Sequence, residues 1–153
     1  MAHIITPTIL LDSPKSAIVH VYIESDGQSG DLVNQVVLDP KTDFVDSPLR
    51  IQMSLTQVWF SLAWFDGMLT FDDLVPYPSW MLARDTVGYH DFRFFGGIKD
   101  RSSIDGTGKV MLSTNGLTPL GNKGTIVMEI RKNKMANAGA YNTGAYANYP
   151  LQV

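Results

Sequence analysis

The chain has 153 residues, a formal net charge of −3 and no cysteine. A chain of this length buries roughly 70% of its unfolded surface, so we expect one domain with one hydrophobic core. The negative charge gives no general attraction to a phosphate backbone, and the lack of cysteine excludes disulfides and thiolate metal sites. We therefore expect no nucleic-acid partner.

The first segment, "MAHIITPTILLD", has no basic start, too short an apolar run for a secretory signal and no small-residue cleavage site. No stretch of the chain approaches the ~20 apolar residues of a membrane span. We expect a protein made in a cytoplasm, with no membrane partner. The same segment fits either an extended arm or a first edge strand with Pro7 on its unpaired side.

Period-two alternation of apolar and polar residues dominates the chain and predicts half-buried strands. It is clearest in the segments "SAIVHVYIES", "LRIQMSLTQV" and "TIVMEIRK". The apolar faces predicted for these segments are Ala17, Val19, Val21 and Ile23; Ile51, Met53 and Leu55; and Ile126, Met128 and Ile130. Further β-rich segments lie at 32–39, 58–65, 68–74, 89–95 and 108–115, where β-branched and aromatic residues fit a pleated surface.

Glycine-containing pairs separate these segments and predict tight turns, among them Asp26-Gly27, Gly96-Gly97 and Asn115-Gly116. Asp66-Gly67 lies between two apolar segments, so "LAWFDGMLTF" is predicted to be a hairpin. The only helical candidate is "PSWMLARD", from Pro78 to Asp85. Eight or nine short strands without βα alternation predict an all-β fold, an antiparallel β-sandwich or a Greek-key jelly roll.

Motifs of catalysis are missing from the sequence. It lacks G-x-S-x-G, a P-loop and a dinucleotide fingerprint, and His3, His20 and His90 have no metal-site spacing. We therefore expect a protein that is not an enzyme and that has no catalytic residue, cofactor or metal. The acidic loop "ESDGQSGD" offers oxygen ligands for Ca²⁺, but a glycine-rich connection is the favoured interpretation because the EF-hand ligand order is incomplete.

Aromatic residues concentrate in the middle of the chain and allow two interpretations. An exposed platform of rings beside acids and amides suits a sugar. In "VWFSLAWF", however, both strand faces carry large apolar groups, which favours burial in the core on one side and contact with a loop or neighbouring subunit on the other. The aromatic residues concerned are Trp59, Trp64, Phe65, Tyr77, Trp80, Tyr89, Phe92, Phe94 and Phe95.

The composition changes after Lys134, and we call residues 135–153 the C-terminal arm. From Ala138 to Val153 the arm carries no charged side chain, and its tyrosines are interspersed with alanine, glycine and asparagine. Tyrosine buries a large ring at a small entropic cost, and an uncharged segment has little to desolvate. A disordered terminus is the alternative. We predict that the arm binds an adjacent subunit, with Tyr141, Tyr146, Tyr149 and Leu151 as the binding residues.

Four stretches resemble a family of small β-rich virion structural proteins of tailed bacteriophages. They are "SDGQSGDLVNQVVLD" after the early strand, "VWFSLAWFD", "DFRFFGGIKD" and "GTGKVMLSTNGLTPLGNKGTIVMEIRKNK". Together they cover most of Ala17 to Lys134, and they match in strand and turn order rather than in a catalytic motif. The similarity ends near Lys134, so the arm lies outside it.

The resemblance implies a jelly-roll or sandwich protein on the capsid surface of the virion, a decoration or cement protein. Its implied partners are the major capsid protein and further copies of itself, as a homotrimer. The resulting prediction is a β-sandwich domain over residues 1–134 followed by the arm over 135–153. A carbohydrate-binding module of a tail fibre or baseplate, with Ca²⁺ at the acidic loop as an option, and a neck or tail structural component are the alternatives.

Overall fold

The computed structural model describes residues 2–44, 51–72, 77–84, 86–100 and 107–134. These ranges form ten strands, a short helix α1 (Pro40–Asp43) and a 3-10 turn (Arg93–Phe95). The strands are β1 (Ile4–Asp12), β2 (Ser16–Glu24), β3 (Gln35–Leu38), β4 (Ile51–Leu62), β5 (Asp66–Phe71), β6 (Tyr77–Leu82), β7 (Thr86–Asp91), β8 (Ile98–Lys99), β9 (Val110–Asn115) and β10 (Lys123–Lys134).

Two antiparallel sheets build the fold. The first sheet has the order β1-β2-β10-β4-β7, with β8 paired to β4, and the second has the order β3-β9-β5-β6. The pairs β2–β10, β3–β9, β4–β7 and β5–β6 make one long hairpin, and rolling it up adds the pairs β4–β10 and β5–β9. Eight strands in this order are a jelly roll, so the predicted all-β jelly roll is confirmed.

The core lies between the two sheets and is built from the predicted alternation. Ala17, Val19, Val21 and Ile23 have no exposed surface, and their neighbours in β2 are only half-buried. Ile126, Met128 and Ile130 on β10 are buried in the same way. The predicted apolar faces of these two central strands are therefore confirmed.

Strand β4 departs from strict alternation through a β-bulge. Glu129 pairs with Gln57 and Ile130 pairs with Leu55, so Thr56 is the extra residue on β4. A one-residue insertion reverses the faces of everything beyond it. Met53 and Leu55 before the bulge and Val58, Phe60 and Leu62 after it consequently all point into the core.

The predicted Asp66-Gly67 hairpin is wrong. Strand β4 pairs with β10 and β7 in the first sheet, whereas β5, which begins at Asp66, pairs with β6 and β9 in the second. Residues 63–65 carry the chain from one sheet to the other, with Phe65 fully buried between them. The local turn signal could not distinguish a hairpin from a crossing between sheets.

The predicted helix over Pro78–Asp85 is also wrong, because this segment contributes to β6. Met81 pairs with Met68 and Leu82 with Gly67. Met81 is exposed whereas Leu82 is fully buried. Pairing with β5 and burial of one face outweigh the weak helical propensity of the sequence.

The structure describes the first segment of the chain but not the arm. The first segment is the edge strand β1, in which Pro7 pairs with Val21 of β2. At the other end, β10 ends at Lys134, opposite Ile51 of β4. The arm at 135–153 lies outside the described residues, so the domain boundary and the arm stay predictions.

Candidate interaction surface

Strand β7 forms one edge of the first sheet. A stacked pair of rings lies on the outer face of this sheet, one ring on β7 and the other on β4. Trp59 on β4 and Tyr89 on β7 are paired in register, and their ring centroids lie 5.2 Å apart with an interplanar angle of 26°. Trp59 is 38% exposed and Tyr89 is 47% exposed. Cross-strand aromatic pairs of this kind stabilise a sheet, and here they also present apolar area to solvent.

A chain of polar side chains holds the Tyr89 ring in place. The Tyr89 hydroxyl donates to Oε1 of Gln57 at 2.5 Å, and Nε2 of Gln57 donates to Oε1 of Glu129 at 2.5 Å. The Thr56 hydroxyl donates to the same carboxylate oxygen at 2.9 Å. Because Gln57 and Thr56 are buried, this network fixes the tyrosine rotamer from beneath.

Further exposed apolar side chains lie on β7 and in the turn that follows it. Val87, two residues before Tyr89 on the same face, is among the most exposed apolar residues described. Phe94 and Phe95 follow β7 in the 3-10 turn, where they contact each other edge to face at 4.8 Å. Phe94 is 86% exposed. We call Trp59, Val87, Tyr89, Phe94 and Phe95 the aromatic edge.

The turn that carries the two phenylalanines is held at both ends. The Arg93 guanidinium donates to both carboxylate oxygens of Asp91, and the hydrogen bond with its accompanying charge lowers the pKa of Asp91 to about 2. Gly96 and Gly97 close the turn at a φ of +90°. Arg131 donates to the carbonyl of Gly96 at 2.7 Å. The predicted Gly96-Gly97 turn is therefore confirmed.

The inner side of β7 packs against a second group of rings. His90 stacks on Phe60 at 5.7 Å and on Phe92 at 6.0 Å, and Trp80 of β6 meets it edge-on at 5.2 Å. Phe92 is buried, and Phe95 contacts it at 6.0 Å. His90 therefore contributes to a packed aromatic cluster beneath the exposed edge.

The acidic loop uses its carboxylates within the fold. Asp26 accepts hydrogen bonds from the Ser29 hydroxyl and from the N–H groups of Gln28 and Ser29, and these bonds lower its pKa. Asp31 accepts from the Leu117 N–H and the Thr114 hydroxyl. The loop is thus tied to its own backbone and to the neighbouring loop, as a structural connection is.

The residues 2–44, 51–72, 77–84, 86–100 and 107–134 contain no group of three or more His, Cys, Asp or Glu side chains arranged to hold a metal ion. In the same ranges no helix has the length and hydropathy needed to cross a bilayer.

The sequence predicts this surface only in part. Trp59, Tyr89, Phe94 and Phe95 belong to the aromatic residues for which the sequence favours core or subunit contact. The structure places Phe60 in the core and leaves Trp59 and Trp64 exposed in the single chain. Val87 was missed, because a lone valine gives no signal until its edge position is known. The predicted binding residues Tyr141, Tyr146, Tyr149 and Leu151 all lie outside the described residues.

No family model and no curated protein matches the chain. Among solved structures, a cupin superfamily protein from Desulfitobacterium hafniense is 8% identical, with 88% of this chain and 82% of that chain covered and a TM-score of 0.32. An RmlC-like cupin family protein with a double-stranded beta-helix fold, from Methanocaldococcus jannaschii, is 11% identical, with 86% and 81% covered and a TM-score of 0.29. These scores carry no argument about function. The strand order itself defines the chain as an all-β jelly-roll protein.

Proposed function

We propose that this protein is a virion structural protein of a tailed bacteriophage, a capsid decoration or cement protein that binds the major capsid protein and further copies of itself. The observation that carries the proposal is the aromatic edge, a rigid apolar surface on a jelly-roll module. The sequence resemblance to phage virion proteins supplies the capsid context and the trimeric state.

The composition of the aromatic edge supports a role in protein contact. Tryptophan and tyrosine are enriched among the residues that dominate interface energies, and a held rotamer reduces the entropy lost on binding. Here the Gln57–Glu129 network already holds Tyr89 before any partner arrives. On a shell, many copies bind together, so contacts that are modest individually add up through avidity.

The proposal is tested on purified particles of the phage that encodes the chain. Quantitative mass spectrometry should find the protein in mature virions at a copy number set by the shell lattice, rather than by the few rings of a neck. Particles grown with the Trp59→Ala variant should lack the protein. The control is Val33→Ala, at an exposed valine in the 31–34 loop, and particles grown with this variant should still contain the protein. Absence of the unaltered protein from virions would overturn the proposal.

A carbohydrate-binding module is the second candidate, and the exposed Trp59–Tyr89 ring pair is the observation that favours it. A sugar site also needs free polar groups beside the rings. The Tyr89 hydroxyl and the buried Gln57 amide already serve each other and Glu129, which weighs toward protein contact. Glycan-array binding by the purified protein, lost in Trp59→Ala and measured with and without a chelator, would favour the sugar instead.

A further inference from the structure

We propose that the free edge of β7 binds the C-terminal arm of a second copy as an added antiparallel strand, with Tyr149 beside Tyr89 and Leu151 beside Val87. This inference rests on the proposed function, because it names the contact through which copies associate. It assigns the occupant of the aromatic edge and the register in which that occupant lies.

The open side of β7 has the hydrogen-bonding groups that strand addition needs. Within the described ranges, β7 pairs with β4 and with no other strand, so it ends the sheet. The Phe92 N–H donates to the Thr56 carbonyl of β4. Since backbone groups alternate sides along a strand, the N–H and C=O groups of Val87 and Tyr89 are expected to point to the open side.

The arm fits this edge in pattern and in charge. In an extended strand, alternate residues share a face, so Tyr149 and Leu151 would stand together as Tyr89 and Val87 do. The register also accommodates Pro150, whose missing N–H then falls on the outer side of the added strand. The arm has no charged side chain from Ala138 onward, and Trp59, Val87 and Tyr89 carry none, so covering these three side chains desolvates no charge. The charged groups further along the edge, Asp91 and Arg93, already pair with each other.

The arm is long enough to span the distance from the end of β10 to the aromatic edge of a domain. The arm follows Lys134, the last residue of β10, which lies opposite Ile51 of β4. Trp59 of β4 lies opposite Val127, seven residues earlier on β10. That separation is about 23 Å at ~3.3 Å per residue. Residues 135–153 extend to at most about 65 Å at roughly 3.5 Å per residue. Strand β10 runs away from Trp59 and parallel to β7, so an arm of the same chain would have to reverse its direction to add to β7 as an antiparallel strand.

Disulfide trapping tests the contact on the full chain, which has no cysteine of its own. Val87→Cys protein and Leu151→Cys protein are mixed under mild oxidation, and covalent heterodimers are quantified. The control replaces Val87→Cys with Thr8→Cys, an exposed position on the opposite edge strand β1. Because a bound arm holds the two thiols at a high effective concentration, the Val87–Leu151 pair should cross-link at least ~10-fold faster than the Thr8–Leu151 pair.

A second variant pair tests the register. Tyr149→Ala in the Leu151→Cys chain should reduce cross-linking to Val87→Cys more than Tyr146→Ala does, because residue 146 would lie on the opposite face of the added strand. Equal effects would overturn the register. Equal rates for the Val87 and Thr8 pairs, or a Val87→Cys/Leu151→Cys chain that forms only an internal disulfide, would overturn the contact with a second copy.

The outcomes separate this contact from the proposed function. Specific cross-links in solution combined with absence from virions would leave the arm contact standing and remove the capsid role. Incorporation into virions without specific cross-links would support the capsid role and remove the arm contact.

Discussion

The hydroxyl of Tyr89 donates a 2.5 Å hydrogen bond to Oε1 of Gln57, a buried side chain on the neighbouring strand. This bond joins the exposed ring pair to the interior of the sheet. Because this bond holds the Tyr89 ring in one conformation, single substitutions can test how much it contributes to stability.

Removing this hydroxyl should destabilise the fold. In Tyr89→Phe the oxygen of Gln57 loses its donor, which should lower the free energy of unfolding by about 1 kcal/mol in urea titrations. The control is Tyr22→Phe, whose hydroxyl donates to Glu24 at 3.0 Å. The Glu24 side chain is 33% exposed, so water replaces the lost donor and the effect should be smaller. Equal losses in both variants would contradict the role of Gln57.

A methyl group at Gly88 should also be costly. The Phe60 ring occupies the space where a Cβ on Gly88 would lie, whereas an added Cβ at Gly30 meets nothing within 4 Å. We expect Gly88→Ala to lower the free energy of unfolding by roughly 1–3 kcal/mol through overpacking, and Gly30→Ala to have little effect. Adding Phe60→Leu to Gly88→Ala should recover part of the loss, and no recovery would show that the clash lies elsewhere.

Removing one partner of the ion pair at the end of β10 should cost more stability than removing both. The Lys132 ammonium group contacts the carboxylate of Asp12, donates to the carbonyl of Ser13 at 2.8 Å and lies 4.1 Å from the ring centroid of Phe44. Its side chain has no exposed surface. Asp12→Ala leaves this charge uncompensated and should cost about 3 kcal/mol in the free energy of unfolding.

The double variant Asp12→Ala/Lys132→Met should recover much of that loss, because it removes the buried charge while filling the same space. Lys123→Ala serves as the control, since Lys123 and Glu24 form an exposed pair at 3.8 Å whose removal should cost under about 1 kcal/mol. A double variant less stable than Asp12→Ala would contradict this account.

Acid should destabilise the fold, because several of its carboxyl groups have pKa values below their ordinary range. The pKa of Asp91 falls from 3.8 to about 2, so its folded state releases its proton more readily than its unfolded state does. This contribution to stability is therefore present above pH 3.8 and is lost as the pH falls toward about 2. The pKa values of Asp26, Asp31 and Asp66 are lowered as well, because the hydrogen bonds that their carboxylates accept outweigh burial, which acts in the opposite direction.

Carboxyl titration by NMR measures this effect directly. Arg93→Gln removes the guanidinium and should raise the pKa of Asp91 toward 3.8, leaving the low pKa of Asp66, which pairs with Arg84, unchanged. Stability of Arg93→Gln should also fall less steeply as the pH drops below 4. An unchanged pKa of Asp91 would contradict the assignment of Arg93 as its cause.

The candidate surface shows where sequence interpretation reached its limit. The segment "VWFSLAWF" predicted a strand with large apolar groups on both faces, which holds for residues 58–62 of β4, whereas residues 63–65 cross to the other sheet. Alternation alone did not show which face meets the core. Trp59 and Phe60 have the same pattern in the sequence, and the bulge at Thr56 together with pairing to β10 decides which ring is exposed. Val87 became part of the site only because β7 lies at the end of the sheet.

The sequence by itself determined the local properties of this protein: the strand periodicity of β2 and β10, the positive-φ turns at Gly27, Gly96 and Gly116, and an uncharged arm after Lys134. Only the tertiary structure decided that Asp66 begins a strand in the other sheet, that Pro78–Leu82 is extended, and that Trp59 and Tyr89 stack at an open edge. The reason is physical. Periodicity and turn preference arise between residues close in the chain, whereas the pairing of β4 with β7 and β10 depends on burial and hydrogen bonds between segments far apart in the sequence.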